Sequence, residues 1–412
     1  MVDSVIIEAP PWVANLTALA LVTGRPSGAL VFVGDQNEPY ELDKANAFAI
    51  HPTLIVAAAG GGRWFRRSKK YVIGNFTLWC QSWGYGIVGY TPGQLLASGS
   101  TEPDISLDLR AFKNAPGGNQ QCVATDKDGN VWFGIDGWFP TVLFIKTDVM
   151  MFALEDCLKS GTPKPRHFLP VPLGGKQTEA AVILFDKAGN LWSGMGEHGT
   201  FGYTQFQKYH PSQFDTADPP RLTLQQVPPL PGPAPTTSNQ QDAVFDRDGN
   251  LWSSIGFGGA ANGGILKYTA AQVAAGGVVL ADVIWTGSNF TGAGLGATCQ
   301  MALSPDGARL WVADYSGNKV VKAWNIAGAV SGNPAPAITL TSASFNGGPY
   351  SLAFDLAGNL WVNNGNENRL MRIPAAQLVA SGNVTPDIVI TPVTAVLTSK
   401  MTFPNNPDRS GV

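Results

Sequence analysis

FDKAGNLW (185–192) reads as a hairpin: apolar residues run up to Asp186 and resume after Asn190, with a tight turn between them. The Asp186 carboxylate is placed to accept hydrogen bonds from the following backbone N–H groups. Gly189 supplies the left-handed residue that closes a type I turn with a G1 bulge. The same pattern returns as TDKDGNVW ending at Trp132, FDRDGNLW at Trp252 and FDLAGNLW at Trp361, and in weaker form as GNFTLW at Trp79 and SPDGARLW at Trp311. Six marker tryptophans predict six copies of one unit.

Each marker is followed by a variable loop and a second apolar strand, such as NKVVKAW (318–324) or NRLMRIP (368–374). A short helix-like insert comes next, as in TPGQLLASG (91–99), TAAQVAAGG (269–277) and PAAQLVASG (374–382). A Pro-flanked strand ends the unit: PDISL (103–107), PAITL (336–340), PDIVI (386–390). The markers are 50 to 60 residues apart, longer than the roughly 40 to 45 of a compact four-stranded blade, and the insert accounts for the excess. Units of four strands that cannot bury both faces alone must stack, and stacking in a ring gives an all-β, six-bladed propeller.

The first unit lacks an innermost strand, because SKKYVIGNFTLW (68–79) has no counterpart of SLAFD (351–355). The tail TSKMTFPNN (398–406) resembles that strand, so residues 399–403 are expected to pair into the blade of Trp79 and close the ring. The domains so read are 1–68 and 69–412.

The composition fits this class. Charged residues are 14% of 412, against 48 glycines, 30 prolines and 12 tryptophans, which describes many short strands joined by tight turns. The net charge is −3 and no basic face is clustered, which argues against a nucleic-acid partner. RWFRRSKK (63–70) is read as a solvated connector at the domain junction. Cys80, Cys122, Cys157 and Cys299 show no metal or disulfide spacing. The first residues do not read as a secretory signal and no run is long enough to span a membrane. DKDGN (126–130) and DRDGN (246–250) look like the start of a Ca²⁺ loop, yet the other copies replace the second Asp with Ala and no copy carries the downstream Glu. No cofactor or metal is expected.

The DxxGNLW hairpin and WVADYSGNKV (311–320) resemble those of NHL-type and SMP-30-like six-bladed propellers. That resemblance covers about residues 71–405 and implies fold rather than activity.

Residues 1–68 follow a different pattern: a short helix over 16–22, a turn at GRPSG (24–28), a strand over 29–33, a turn at GDQNEP (34–39) and a strand over 53–59 that ends at GGGRWF (60–65). As a small α+β module this stretch resembles one near the N-termini of tailed-bacteriophage structural proteins. The likeness lies in three pieces in order: the helix with its GxPxG turn, VGDQNEPYELD (33–43) and LIVAAAGGGRW (54–64). The resemblance implies a virion protein made in the host cytoplasm. Residues 1–68 would bind other virion proteins, assemble the chain as a homo-oligomer, and display the propeller as a tail, fibre or capsid-decoration domain. An alternative is that residues 1–68 only cap the propeller.

The loops after the marker tryptophans form one mouth of the ring, and function is sought there. Trp138, Phe257, Tyr315, Asn318, Asn364 and Asn366 offer aromatic faces and amides with little charge, which suits a host-surface glycan or protein. The reading is therefore a non-enzymatic binding protein. The rival is an SMP-30- or lyase-like enzyme with a metal-assisted or acid–base site at Glu197, His198 and Asp314. A bacterial binding protein is a further alternative. Gln120, Gln121, Gln240 and Gln241 are expected to line the channel just before innermost strands.

Overall fold

The computed structural model describes residues 77–82, 86–109, 120–135, 147–171, 178–197, 205–216, 220–226, 238–257, 264–290, 300–315 and 318–403 of the repeat region. Before these it describes 12–13, 20, 30–33, 38–43, 55–57 and 63–66. The turn at 24–28, Trp138, His198 and Cys299 lie outside the described residues, as does the helix expected over 16–22 except for one helical residue, Ala20.

The repeat region is a six-bladed β-propeller. Strands are named a to d from the innermost outward. Blade 1 joins Leu397–Thr402 to Leu78–Ser82, Gly86–Tyr90 and Ile105–Asp108; blade 2 runs Gln120–Thr125, Val131–Ile135, Thr147–Phe152, His167–Val171. Blade 3 is Thr178–Phe185, Leu191–Glu197, Gln205–Tyr209, Leu222–Gln226, and blade 4 is Ser238–Phe245, Leu251–Phe257, Gly264–Tyr268, Val283–Trp285. Blade 5 is Met301–Leu303, Arg309–Asp314, Val320–Asn325, Ile338–Thr341, and blade 6 is Pro349–Phe354, Leu360–Asn364, Arg369–Ile373, Ile388–Thr391.

Strand a of each blade packs against strand a of the next, and blade 6 packs back onto blade 1. The C-terminal strand is antiparallel to Leu78–Ser82, with Met401 opposite Cys80 and Thr402 opposite Trp79. The two ends of the repeat region thus share blade 1, so the junction of blades 6 and 1 is bridged by the chain like the other five.

The hairpin motif binds itself together. The Asp186 carboxylate accepts from Ala188 N and Asn190 N at 3.0 Å, from Asn190 Nδ2 at 2.9 Å and from the Trp192 indole at 3.0 Å. Asp126, Asp246 and Asp355 hold Trp132, Trp252 and Trp361 in the same way. The Asn carbonyl then caps the insert: Asn250 Oδ1 accepts from Ala270 N at 2.9 Å and Asn359 Oδ1 from Ala375 N at 3.1 Å. Gly129, Gly189, Gly249 and Gly358 all have φ near +80°, the left-handed region that the turn needs. The sequence reading saw the turn but not the indole bond. In blade 5, Ser304 Oγ takes over the role by accepting from Arg309 N at 3.0 Å, and Trp311 Nε1 is left without a partner.

Packing follows from this anchoring. Six apolar clusters fill the six junctions between neighbouring blades. The marker indoles are essentially buried in them, each worth about 4 kcal/mol by area.

The inserts close the outer rim. Gly99–Ser100 adds a parallel strand to strand d of blade 6, Gly277–Val279 to blade 3 and Gly382–Asn383 to blade 5. Gly161 and Gly332 make the equivalent bridge to Leu107 and Trp285. Four of these five glycines, all but Gly277, follow a serine that also accepts from the neighbouring edge strand: Ser98 from Val389, Ser160 from Ser106, Ser331 from Ile284 and Ser381 from Thr339, all at 3.0 Å. Blade 3 substitutes Asp215, whose N–H donates to Phe168 O at 2.8 Å and whose Oδ1 accepts from Phe168 N at 2.7 Å. An exposed sheet edge invites pairing with other chains; here each blade covers the edge of the one before it.

The N-terminal strands form a separate five-stranded sheet. Its order is Trp12–Val13, Leu30–Val33, Glu38–Asp43, Arg63–Arg66, Ile55–Ala57. Two expectations are corrected. Glu38–Asp43 is a strand, so Glu38 and Pro39 do not belong to the turn expected over 34–39, whose other residues lie outside the described ones. Arg63–Arg66 is an interior strand paired on both sides, not the start of a solvated connector. A run of four with two aromatic residues satisfied strand pairing despite its charge.

Candidate functional site

The mouth lies where each strand b ends. Glu197, Phe257, Asp314 and Asn364 are the last residues of strand b in blades 3, 4, 5 and 6, so the sequence reading placed them at one end of the ring. The side chains of Glu197, Phe257 and Asn366 lie outside the described residues. Glu197 and Asp314 belong to blades that are not neighbours.

Asp314 is fully buried, and Lys322 Nζ donates to its Oδ2 at 2.9 Å. Asn318 is exposed at the entry to strand c. The half-buried Tyr315 meets Tyr350 edge-on, with ring centroids 4.9 Å apart at 82°. Gly348, at φ +86°, is required beneath it, because a Cβ there would stand 2.6 Å from Tyr315 O.

Asn364 is turned inward rather than displayed. Its Nδ2 donates to Ser344 O at 2.7 Å and to Glu367 Oε2 at 3.1 Å, while its Oδ1 has no partner. Asn368, at φ +52°, ties this loop to the closing strand: its Nδ2 donates to Ala395 O and its Oδ1 accepts from Leu397 N, both at 2.8 Å.

The expected glutamines are displaced. Gln120 and Gln240 lie inside strand a rather than before it, and a bulge follows each, shifting the register before Cys122 and Asp242. Blades 3 and 6 carry the same bulge before Val182 and Ser351. A bulge redirects the side chains beyond it.

Those next residues form a layer that sequence reading missed. Two positions before the residue that pairs with each marker tryptophan stand Lys400, Cys122, Val182, Asp242, Gln300 and Ser351, in blades 1 to 6. All six are buried. Lys400 Nζ stands 3.6 Å from Asp242 Oδ1, and Met301 N donates to Asp242 Oδ2 at 2.6 Å. Gln300 Nε2 donates to Met401 O at 3.0 Å. Blades 1 and 4 are opposite in the ring, so the Lys400–Asp242 link crosses the axis. The layer is polar in blades 4, 5, 6 and 1 and apolar in blades 2 and 3. In the turn-bearing copies the position is four residues before the turn's Asp or Ser, so aligning the copies on that residue would have exposed it; Lys400, in the turnless closing strand, would have escaped.

His167 and His210 sit far from the mouth in sequence order of each blade, on strand d of blade 2 and at the insert of blade 3. His167 Nδ1 lies 2.6 Å from Asp215 Oδ2. Burial alone would raise the Asp215 carboxyl, but bonds from His167 and Phe168 N–H outweigh it and hold it below the ordinary carboxylate value.

No family model matches the chain and no curated protein matches it in sequence. Among solved structures the chain is similar to a protein of unknown function from Bacteroides caccae, with TM-score 0.48 and 12% identity over 79% of this chain and 97% of that one. It is also similar to a luciferin-regenerating enzyme (0.44, 15%, 68% and 78%) and to virginiamycin B lyase from Staphylococcus aureus (0.41, 12%, 82% and 83%). Such likeness concerns the course of the chain, and the activities in those names are said of those proteins.

Proposed function

We propose that the chain is a non-enzymatic binding protein, a virion component of a tailed bacteriophage whose propeller meets a host-surface glycan or protein. The observation that carries the binding part is the state of two described acids, Asp314 at the mouth and Asp242 in the axial layer. Asp314 is committed to Lys322, and Asp242 to Met301 N and Lys400. A general base or metal ligand needs lone pairs that are available to substrate. Carboxylates spent on structure serve rigidity, which suits recognition by a preorganised surface. The virion part rests on the three N-terminal pieces in their order (the helix with GxPxG, VGDQNEPYELD and LIVAAAGGGRW). In this reading residues 1–68 attach to other virion proteins and the propeller faces outward.

Peptide mass spectrometry of purified particles tests the assignment: peptides from both segments are expected in stoichiometric amount, and their absence from particles overturns the virion role. Binding of the purified chain to host cells tests the recognition role separately.

A further inference from the structure

In blades 2, 4 and 6 the insert begins with an N–H donated to the turn asparagine: Leu154 to Asn130, Ala270 to Asn250 and Ala375 to Asn359. Each donor stands two residues beyond strand c. The matching residue in blade 3, two beyond Tyr209, is Pro211. Proline has no N–H to give.

His210 takes over the start of this insert. Its Nδ1 accepts from Ser212 N at 3.1 Å and lies 2.8 Å from Ser212 Oγ, while the Gln213 side chain accepts from His210 N at 2.9 Å. Blade 4 makes the same box with Thr269 and Gln272, and the helical turns of blades 1, 2 and 6 have no side-chain cap there. A ring nitrogen that accepts from a backbone N–H carries no proton. Protonation at Nδ1 turns it into a donor facing a donor, and the cap is lost. It also brings positive charge to the Ser212 hydroxyl, which already accepts from Arg221 Nη2 at 3.1 Å.

The far end of the insert is held by Asp215, at φ +66°. Its carboxylate and N–H bind Phe168 and His167 on the edge strand of blade 2. Phe214, just before it, rests on Trp132 and beside His167. An imidazolium at His167 would tighten this clasp, so the two histidines act in opposite senses. The neighbouring charges are matched: Arg166 with Glu155 and Asp156, Lys208 with Asp186.

We propose that the blade 3 insert is a pH-operated cover on the edge of blade 2. Protonation of His210 frees its start, Ser212 to Phe214, while Asp215 keeps its end clasped until stronger acid removes the carboxylate. Burial raises the Asp215 carboxyl, but the bonds from His167 and Phe168 outweigh it, which sets the order of the two steps. Once both are released, strand His167–Val171 offers an unpaired edge, on which another strand can add. The cover works whatever the propeller binds.

Histidine changes charge between about pH 5 and 8, so hydrogen exchange of the full chain is followed by mass spectrometry across that range, corrected for the intrinsic effect of pH. Protection of Ser212 to Phe214 is expected to fall about fivefold on acidification, the worth of a helix cap. Ala270–Ala275 of blade 4, capped by Thr269, should keep its protection, as should Phe168, held by Asp215. His210→Thr should match the wild type at the upper pH and lose the fall. His210→Asn, another cap that does not titrate, should do the same if threonine disturbs the fold. His167→Gln should leave the fall in place. Steady protection in the wild type, a fall that survives in the folded cap variant, or one that vanishes with His167→Gln overturns the proposal. Loss of Phe168 protection together with that of Ser212 overturns the order of release.

Discussion

Lys400 and Asp242 belong to opposite blades, yet ammonium and carboxylate stand 3.6 Å apart, both buried. The pair braces the axis in a layer where each blade contributes one residue. Removing one partner strands the other charge in the interior. Lys400→Met is expected to lose about 3 kcal/mol or more in urea unfolding, and adding Asp242→Asn should recover part of it. A single variant as stable as the wild type would show that the pair bears no weight.

The hairpin motif has a pH signature. Burial pulls the Asp186 carboxyl up, but bonds from Trp192 and Asn190, with the charge of Lys208, outweigh it and hold the group below its ordinary value. A depressed native value gives stability that is complete above the unfolded pKa of about 4 and lost as pH falls through the native one. Asp186→Asn should therefore cost about 2 kcal/mol at neutral pH, and the gap to the wild type should close in acid. Stability curves that stay parallel down to the acid transition would contradict the assignment.

Two glycines separate backbone strain from packing. Gly189 has φ +78° with open space around it, whereas Gly276 has φ +63° with Leu222 Cγ 2.5 Å from where a Cβ would stand. Gly189→Ala should cost about 1 kcal/mol, the price of the left-handed residue. Gly276, at ψ −157°, lies in a region almost confined to glycine, so Gly276→Ala should cost about 1–3 kcal/mol in strain and a further clash of about 1–3 kcal/mol, loosening the insert from blade 3. Equal losses in chemical denaturation would contradict the rim packing.

Burial pushes the Cys80 and Cys157 thiols far up, so both stay neutral. Thiolate is the reactive form. Neither should be alkylated by iodoacetamide in the native protein, and both should be on unfolding, read by peptide mass spectrometry. Native labelling of either would show its blade junction to be open.

The blades were legible because one local device, the DxxGNxW turn, recurs with its own hydrogen bonds, and the missing strand before Trp79 pointed to the tail. The mouth was legible only as a location: the loop after each marker named Asp314 and Asn364, but alternation along the strand does not reveal that Lys322 neutralises the one or that Ser344 O and Glu367 hold the other. The axial layer stayed hidden because its bonds join residues 59 to 158 positions apart, Asp242 to Met301 and to Lys400. Arg63–Arg66 misled because its charge outweighed its place between two strands.

The claim on which the rest depends is that the C-terminal strand completes blade 1. Hydrogen exchange and melting of the full chain are to be compared with a chain ending at residue 396. Loss of Leu397–Thr402 should lower the melting temperature and strip protection from Leu78–Ser82, its partner strand. An unchanged melting temperature with Leu78–Ser82 still protected would contradict it.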